Sequence, residues 1–131
     1  MKRVLLTACA LALVGLASGC ATVQVAQHFD GVVVDGGAKP IATVAAENYG
    51  YYLFGTFPVI SGTPGRPNAN ACQLFDETVT VQNNLAMVSN AVKLGPGRKL
   101  ANVKTTEEWT GSFSLWILWR RTIFTSALVV E

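Results

Sequence analysis

Few side chains in this 131-residue sequence are equipped for chemistry, and their spacing decides what they can do. Cysteines stand at positions 9, 20 and 72, and the one histidine is His28. A hydrolytic nucleophile needs a base beside it, yet no GxSxG motif is present and Cys72 has no partner visible in the sequence. Zinc wants several Cys or His ligands, and there is no CxxC; calcium wants a cluster of acidic loop oxygens, and none occurs. His28 and Asp30 lie in the glycine-rich stretch AQHFDGVVVDGG, where solvated side chains are the expected reading rather than a relay or a metal pair. Asp76-Glu77 and Glu107-Glu108 are adjacent, so on a helix or strand each pair points apart and shares no proton. Asp76 and Glu77 better suit the start of a helix, where negative charge complements the macrodipole. Gly62-Thr63-Pro64-Gly65 lacks the GxxxxGK[ST] pattern, and Pro64 and Pro67 delete N–H groups that a phosphate cradle uses. Neither an enzyme nor a cofactor is expected.

Cys20 is different because of what precedes it. Lys2 and Arg3 form a short positive segment, Val4 to Leu16 an apolar stretch, and Ala17, Ser18 and Gly19 a small-residue end. This is the three-part layout of a secretory signal peptide. The run falls short of the roughly 20 apolar residues that a spanning helix needs. The stretch Leu16-Ala17-Ser18-Gly19-Cys20 resembles the lipobox of bacterial lipoproteins, with Ala17 where leucine is usual and Leu16 one position further back. The resemblance implies diacylglyceryl transfer to the Cys20 thiol, cleavage before it, and acylation such as palmitate at the mature N-terminus. Each buried methylene contributes about 0.8 kcal/mol, so two or three chains hold a protein firmly on a bilayer. The resemblance further implies, because Ala21 rather than aspartate follows the cysteine, sorting to the outer membrane, facing the periplasm, in a Gram-negative host.

Removing Lys2 and Arg3 with the signal leaves 10 − 2 = 8 Lys and Arg against 8 Asp and Glu, a mature balance of zero. That lacks the positive field a nucleic-acid partner requires. The pairs Arg98-Lys99 and Arg120-Arg121 are expected as solvated surface. Cys72 is then the only unacylated cysteine, so no internal disulfide is expected and the fold must rest on its core.

The positioning elements follow from periodicity. Residues 20–40 are expected as the lipidated N-terminus and a flexible tether, with one short strand at Val32 to Val34. IATVA and YGYYLFGTF, from Ile41 to Phe57, alternate as strand, with Tyr51, Leu53, Gly55 and Phe57 on one face and Tyr52, Phe54 and Thr56 on the other. SGTPGRPNANA reads as a loop. Asp76 to Leu94 reads as a helix capped by Asp76 or Thr78 and ended by Gly95-Pro96, with Val81, Leu85, Val88 and Val92 as its apolar stripe and Met87 as core filler. Leu100 to Thr106 is a short strand, Glu107 to Gly111 a turn, and Ser112 to Val130 one long strand or two, with Phe113, Leu115, Ile117 and Trp119 sharing a face. Arg120 and Arg121 at its centre oppose a spanning helix.

This order predicts an α+β fold, a small mostly antiparallel sheet packed on one helix. Residues 1–19 form the signal peptide, 20–40 the anchor and tether, and 41–131 a single domain. The helix, LANVKT and the terminal TIFTSALVVE resemble, in order and texture, the C-terminal half of TRL-like small bacterial lipoproteins. The expected function is a membrane-anchored structural or interaction module of the cell envelope. An envelope protein partner would dock on exposed aromatics among Tyr49, Tyr51, Tyr52, Trp109 and Trp116. The alternative is a binding module for a small apolar or glycan ligand, using the same rings and the Gly62 to Asn70 loop. A flat exposed patch favours docking, and a closed pocket favours a ligand.

Overall fold

The computed structural model describes residues 21–26, 38–93, 98–112 and 116–131. Cys20, His28, Asp30, Val32 to Val34, Gly95-Pro96, Phe113 and Leu115 lie outside the described residues. The elements are β1 (Ala21–Ala26), β2 (Pro40–Leu53), β3 (Phe57–Gly62), β4 (Cys72–Leu74), α1 (Val81–Val92), β5 (Lys99–Ser112) and β6 (Leu118–Val130). They form a six-stranded sheet in the order β4-β3-β2-β6-β5, every pairing antiparallel, with α1 on one face. β1 shares with β3 the edge of β2 that β6 does not occupy, from Ala21 opposite Asn48 to Ala26 opposite Thr43. Among the described residues no helix is long and apolar enough to cross a membrane.

Alternation builds the core. Along β2 the side chains of Ala42, Val44, Ala46, Asn48 and Tyr52 are buried, while the residues between them are only half-buried. β6 answers with Ile123, Thr125, Ala127 and Val129 on the same face, and α1 lays Met87 and Val88 across them. Fully burying a Val, Ile or Met side chain contributes about 1.5–3 kcal/mol, so this contact is the main source of stability. The opposite face has no covering layer among the described residues; there Arg120 pairs with Glu47 at 3.4 Å and lies 4.1 Å from the Tyr49 ring centroid.

Four expectations are corrected. Residues 21–26 are not tether: β1 is ladder-paired to β2, and Asn68, in the left-handed conformation, clasps its outer side. The Asn68 backbone N–H donates to the Ala21 carbonyl at 2.9 Å, its Nδ2 donates to the Val23 carbonyl at 2.9 Å, and its Oδ1 accepts from the Val23 N–H at 3.0 Å. The single asparagine thus stands in for a missing strand.

The helix starts later than expected. Thr80 is the cap, its side-chain oxygen accepting from the Asn83 N–H at 3.2 Å, and there is no acidic residue in the first turn. Asp76 to Thr80 instead forms a strap over β2 and β3. Ser61 Oγ donates to the Asp76 carbonyl at 2.7 Å, Asn48 Nδ2 donates to the Thr78 carbonyl at 2.8 Å, and Thr78 Oγ1 donates to the Gly62 carbonyl. The buried helix face is also rotated: Asn84, Met87 and Val88 face the sheet, while Val81 and Leu85 are partly exposed.

The expected turn at Glu107 to Gly111 is strand. β5 continues through it opposite Ile123 to Trp119, because an edge strand tolerates charges that a central one does not. Finally, the strand expected through Phe57 breaks at Leu53. Phe54 and Gly55 both take positive φ, 53° and 68°, and the Thr56 N–H donates to the Leu53 carbonyl at 3.0 Å, closing a tight hairpin turn into β3.

Candidate interaction site

The turn between β2 and β3 brings three segments to one end of the sheet. Leu53 faces Phe57 on one side and Leu118 on the other, and the Phe54 N–H donates to the Ile117 carbonyl at 2.7 Å. Trp119 pairs with Tyr52 and lays its indole beside Gly55 and Gly111. Its Nε1 donates to the Trp116 carbonyl at 3.0 Å, and the two indoles meet at 5.4 Å between centroids. Leu53, Phe54, Phe57, Trp109, Trp116 and Ile117 are all exposed, Phe54 at 66 % and Trp116 at 76 %. Phe54, Gly55, Trp109 and Trp119 enclose an open recess of about 310 Å³.

Backbone geometry makes this exposure costly. Phe54 and Trp116 hold φ of 53° and 55°, and exposed Phe75, at the end of β4, holds 57°. A left-handed L-residue costs roughly 1–2 kcal/mol, and these rings stay mostly exposed among the described residues.

Behind the aromatic end stands a polar cluster that fixes Trp109. Glu107 Oε1 accepts from Trp109 Nε1 at 2.8 Å and from Arg121 Nε at 2.9 Å. Arg121 also reaches Glu77 at 3.5 Å, and Tyr52 donates its hydroxyl proton to the same Glu77 oxygen at 2.7 Å. The Tyr52 and Trp109 rings are 5.4 Å apart. Burial, reinforced by the Glu77 carboxylate, pushes the Tyr52 phenol well above its ordinary range. The Arg121 guanidinium holds the Glu107 carboxyl below the ordinary carboxylate range against a smaller opposing effect of burial, with Trp109 assisting. Both shifts lead away from neutrality, so neither group is set to exchange protons at pH 7. Among the described residues no three His, Cys, Asp or Glu side chains cluster to hold a metal ion.

The five aromatics expected from sequence do not form one surface. Tyr49 and Tyr51 meet edge to face on the uncovered side of the sheet at 6.1 Å. Tyr52, 1 % exposed, and Trp109 lie on the helix side, the first sealed under the strap and the second at the rim. Trp116 sits at the end of the sheet with Trp119, Phe54 and Phe57, three rings that were not among the expected site residues. The dipeptide Phe54-Gly55 between two apolar runs was the available signal for a turn that thrusts an aromatic outward. The basic pair Arg120-Arg121 is not free surface: consecutive strand residues face opposite sides, and each arginine pairs with a glutamate on its own side. No family model, curated protein or solved structure matches the chain.

Proposed function

We propose that this protein is a small lipoprotein of the bacterial cell envelope, held on the membrane through acylated Cys20, whose aromatic sheet end docks a protein partner. The observation that supports docking is the group of exposed rings, Phe54, Phe57, Trp109 and Trp116, near one end of the sheet. Exposed aromatic side chains are enriched at interaction sites and dominate the energetics of such contacts. The rings are presented by a tight hairpin and a cross-strand hydrogen bond, so little ordering entropy is lost on binding. Anchoring rests on the Leu16 to Cys20 motif.

A second reading has its own observation, the recess of about 310 Å³ between Phe54, Gly55, Trp109 and Trp119. Its walls suit stacking of a small apolar molecule or a sugar ring, but they are open on the outer side, which favours a protein surface. A photo-crosslinking residue at Phe57 or Trp116 in living cells separates the two. Docking yields one defined adduct from both positions and none from Gln82, on the exposed helix face; a small-ligand role yields no protein adduct and a molecule that co-purifies. Radiolabelled palmitate tests the anchor: label lost in Cys20→Ala supports it, and equal label in both chains refutes it.

A further inference from the structure

β5 ends the sheet, and among the described residues nothing pairs with its outer side. A strand edge with free N–H and C=O groups is a template for another strand, and proteins usually blunt it with bulges and charges. β5 has a bulge only near its start, between Ala101 and Lys104, where Asn102 takes a φ of 50°. From Lys104 to Ser112 its register with β6 is unbroken. The charges on this stretch are Lys104, Glu107 and Glu108. Glu107 is engaged by Arg121, whereas Lys104 and Glu108 make no ion pair among the described residues. Lys104 and Glu108 share the uncovered face, opposite Ser126 and Thr122, and both are exposed.

Two copies of one strand that pair antiparallel are related by a two-fold axis through the sheet, so one residue must oppose itself. Charge selects which. With Thr106 at the centre, Lys104 of each copy opposes Glu108 of the other, both within the stretch of unbroken register. A centre at Glu107 or Glu108 sets a carboxylate against itself. A centre at Thr105 sets Lys104 against Thr106 and carries Glu108 into the bulge, and a centre at Trp109 runs Lys104 past the end of the strand.

We propose that β5 pairs antiparallel with β5 of a second copy about Thr106, joining two sheets into one through reciprocal Lys104–Glu108 pairs. The charges that would blunt this edge toward other strands complement each other across the two-fold. Both helices lie on the same side of the joined sheet, and the two aromatic ends point away from each other.

Charge exchange on the full-length chain in detergent tests this, read by analytical ultracentrifugation. The wild-type chain should be a reversible dimer. Lys104→Glu alone, or Glu108→Lys alone, places like charges opposite each other twice per dimer and should weaken association about tenfold or more. Mixing the two variants should restore a dimer that contains one copy of each, because every Glu then meets a Lys. As a second measurement, Thr106→Cys should form a covalent dimer under mild oxidation, while Thr105→Cys and Thr110→Cys should not. A monomeric wild-type chain, unchanged association in the charge variants, or crosslinking at position 105 or 110 in place of 106 would overturn the proposal.

Discussion

Two residues carry more than their size suggests. Asn84 is fully buried on the sheet side of α1, where its Nδ2 donates to the Ile123 carbonyl at 2.7 Å and to the Ala46 carbonyl at 3.3 Å. It fixes the helix to β2 and β6 at once, although its Oδ1 has no hydrogen-bond partner among the described residues. Losing the orphaned oxygen offsets part of the cost of losing two bonds and leaving a void. Asn84→Ala should therefore destabilise by about 1–2 kcal/mol, read as a lower urea midpoint at unchanged slope. Glu107 makes stability depend on pH in a definite direction. Its folded pKa lies below the ordinary value of about 4.5, so the stability it contributes is present above that value and lost as pH falls through the folded one. Glu107→Gln should lower stability at neutral pH and flatten the acid limb of the stability curve below about pH 4.5. An acid limb identical in both chains would show that the Arg121 pair does not couple to folding.

At the scale of elements, β3 and the strap from Asp76 to Thr80 together approach β2 so closely that they constrain its sequence. A Cβ on Gly50 would stand 2.9 Å from the Ile60 carbonyl oxygen and 3.0 Å from Val79 Cγ2. The first contact is backbone and cannot move aside cheaply. Gly50→Ala should cost about 1–3 kcal/mol and lower the melting temperature, whereas Gly65→Ala, with open space around it, should not. Central β2 and β6 were readable in the sequence because alternation is strict where one face is buried. β5 was misread at Glu107 to Gly111 because an edge strand buries little and so carries no such pattern. The helix was found, but its buried face was misassigned: strand carbonyls drew Asn84 inward in preference to Leu85, a choice that hydropathy does not record. Among the aromatics, Trp109 and Trp116 stood out by type. Phe54 and Phe57 were hidden because Phe-Gly is an unusual occupant of a turn that favours Asn-Gly.

Across the whole molecule, the consequential departure from the sequence reading is β1. The apolar run and Cys20 speak of an anchor, and a glycine-rich segment after them reads as a spacer, yet Ala21 is already 4 % exposed and part of the core around Val44, Met87 and Val88. Alternation in ATVQVA is too short to separate from linker composition, and the clasp that completes it comes from Asn68, 45 residues from Val23 in sequence. On the proposed reading, the sheet starts one residue after the acylated cysteine, so the domain lies against the bilayer instead of hanging from it. The clasp makes this testable without reference to lipid. Asn68→Gly keeps the left-handed backbone accessible, at a φ of 66°, while removing both side-chain bonds to Val23. Under limited proteolysis followed by mass spectrometry, the wild-type chain should show no cleavage within residues 21–26, and Asn68→Gly should be cut there at a rate several-fold above background. Protection follows from the population of the open state, so weakening β1 by about 1–2 kcal/mol raises cleavage by roughly 5- to 30-fold when reclosing is fast. Rapid cutting of 21–26 in the wild-type chain would return this segment to the role of a tether and lift the domain off the membrane.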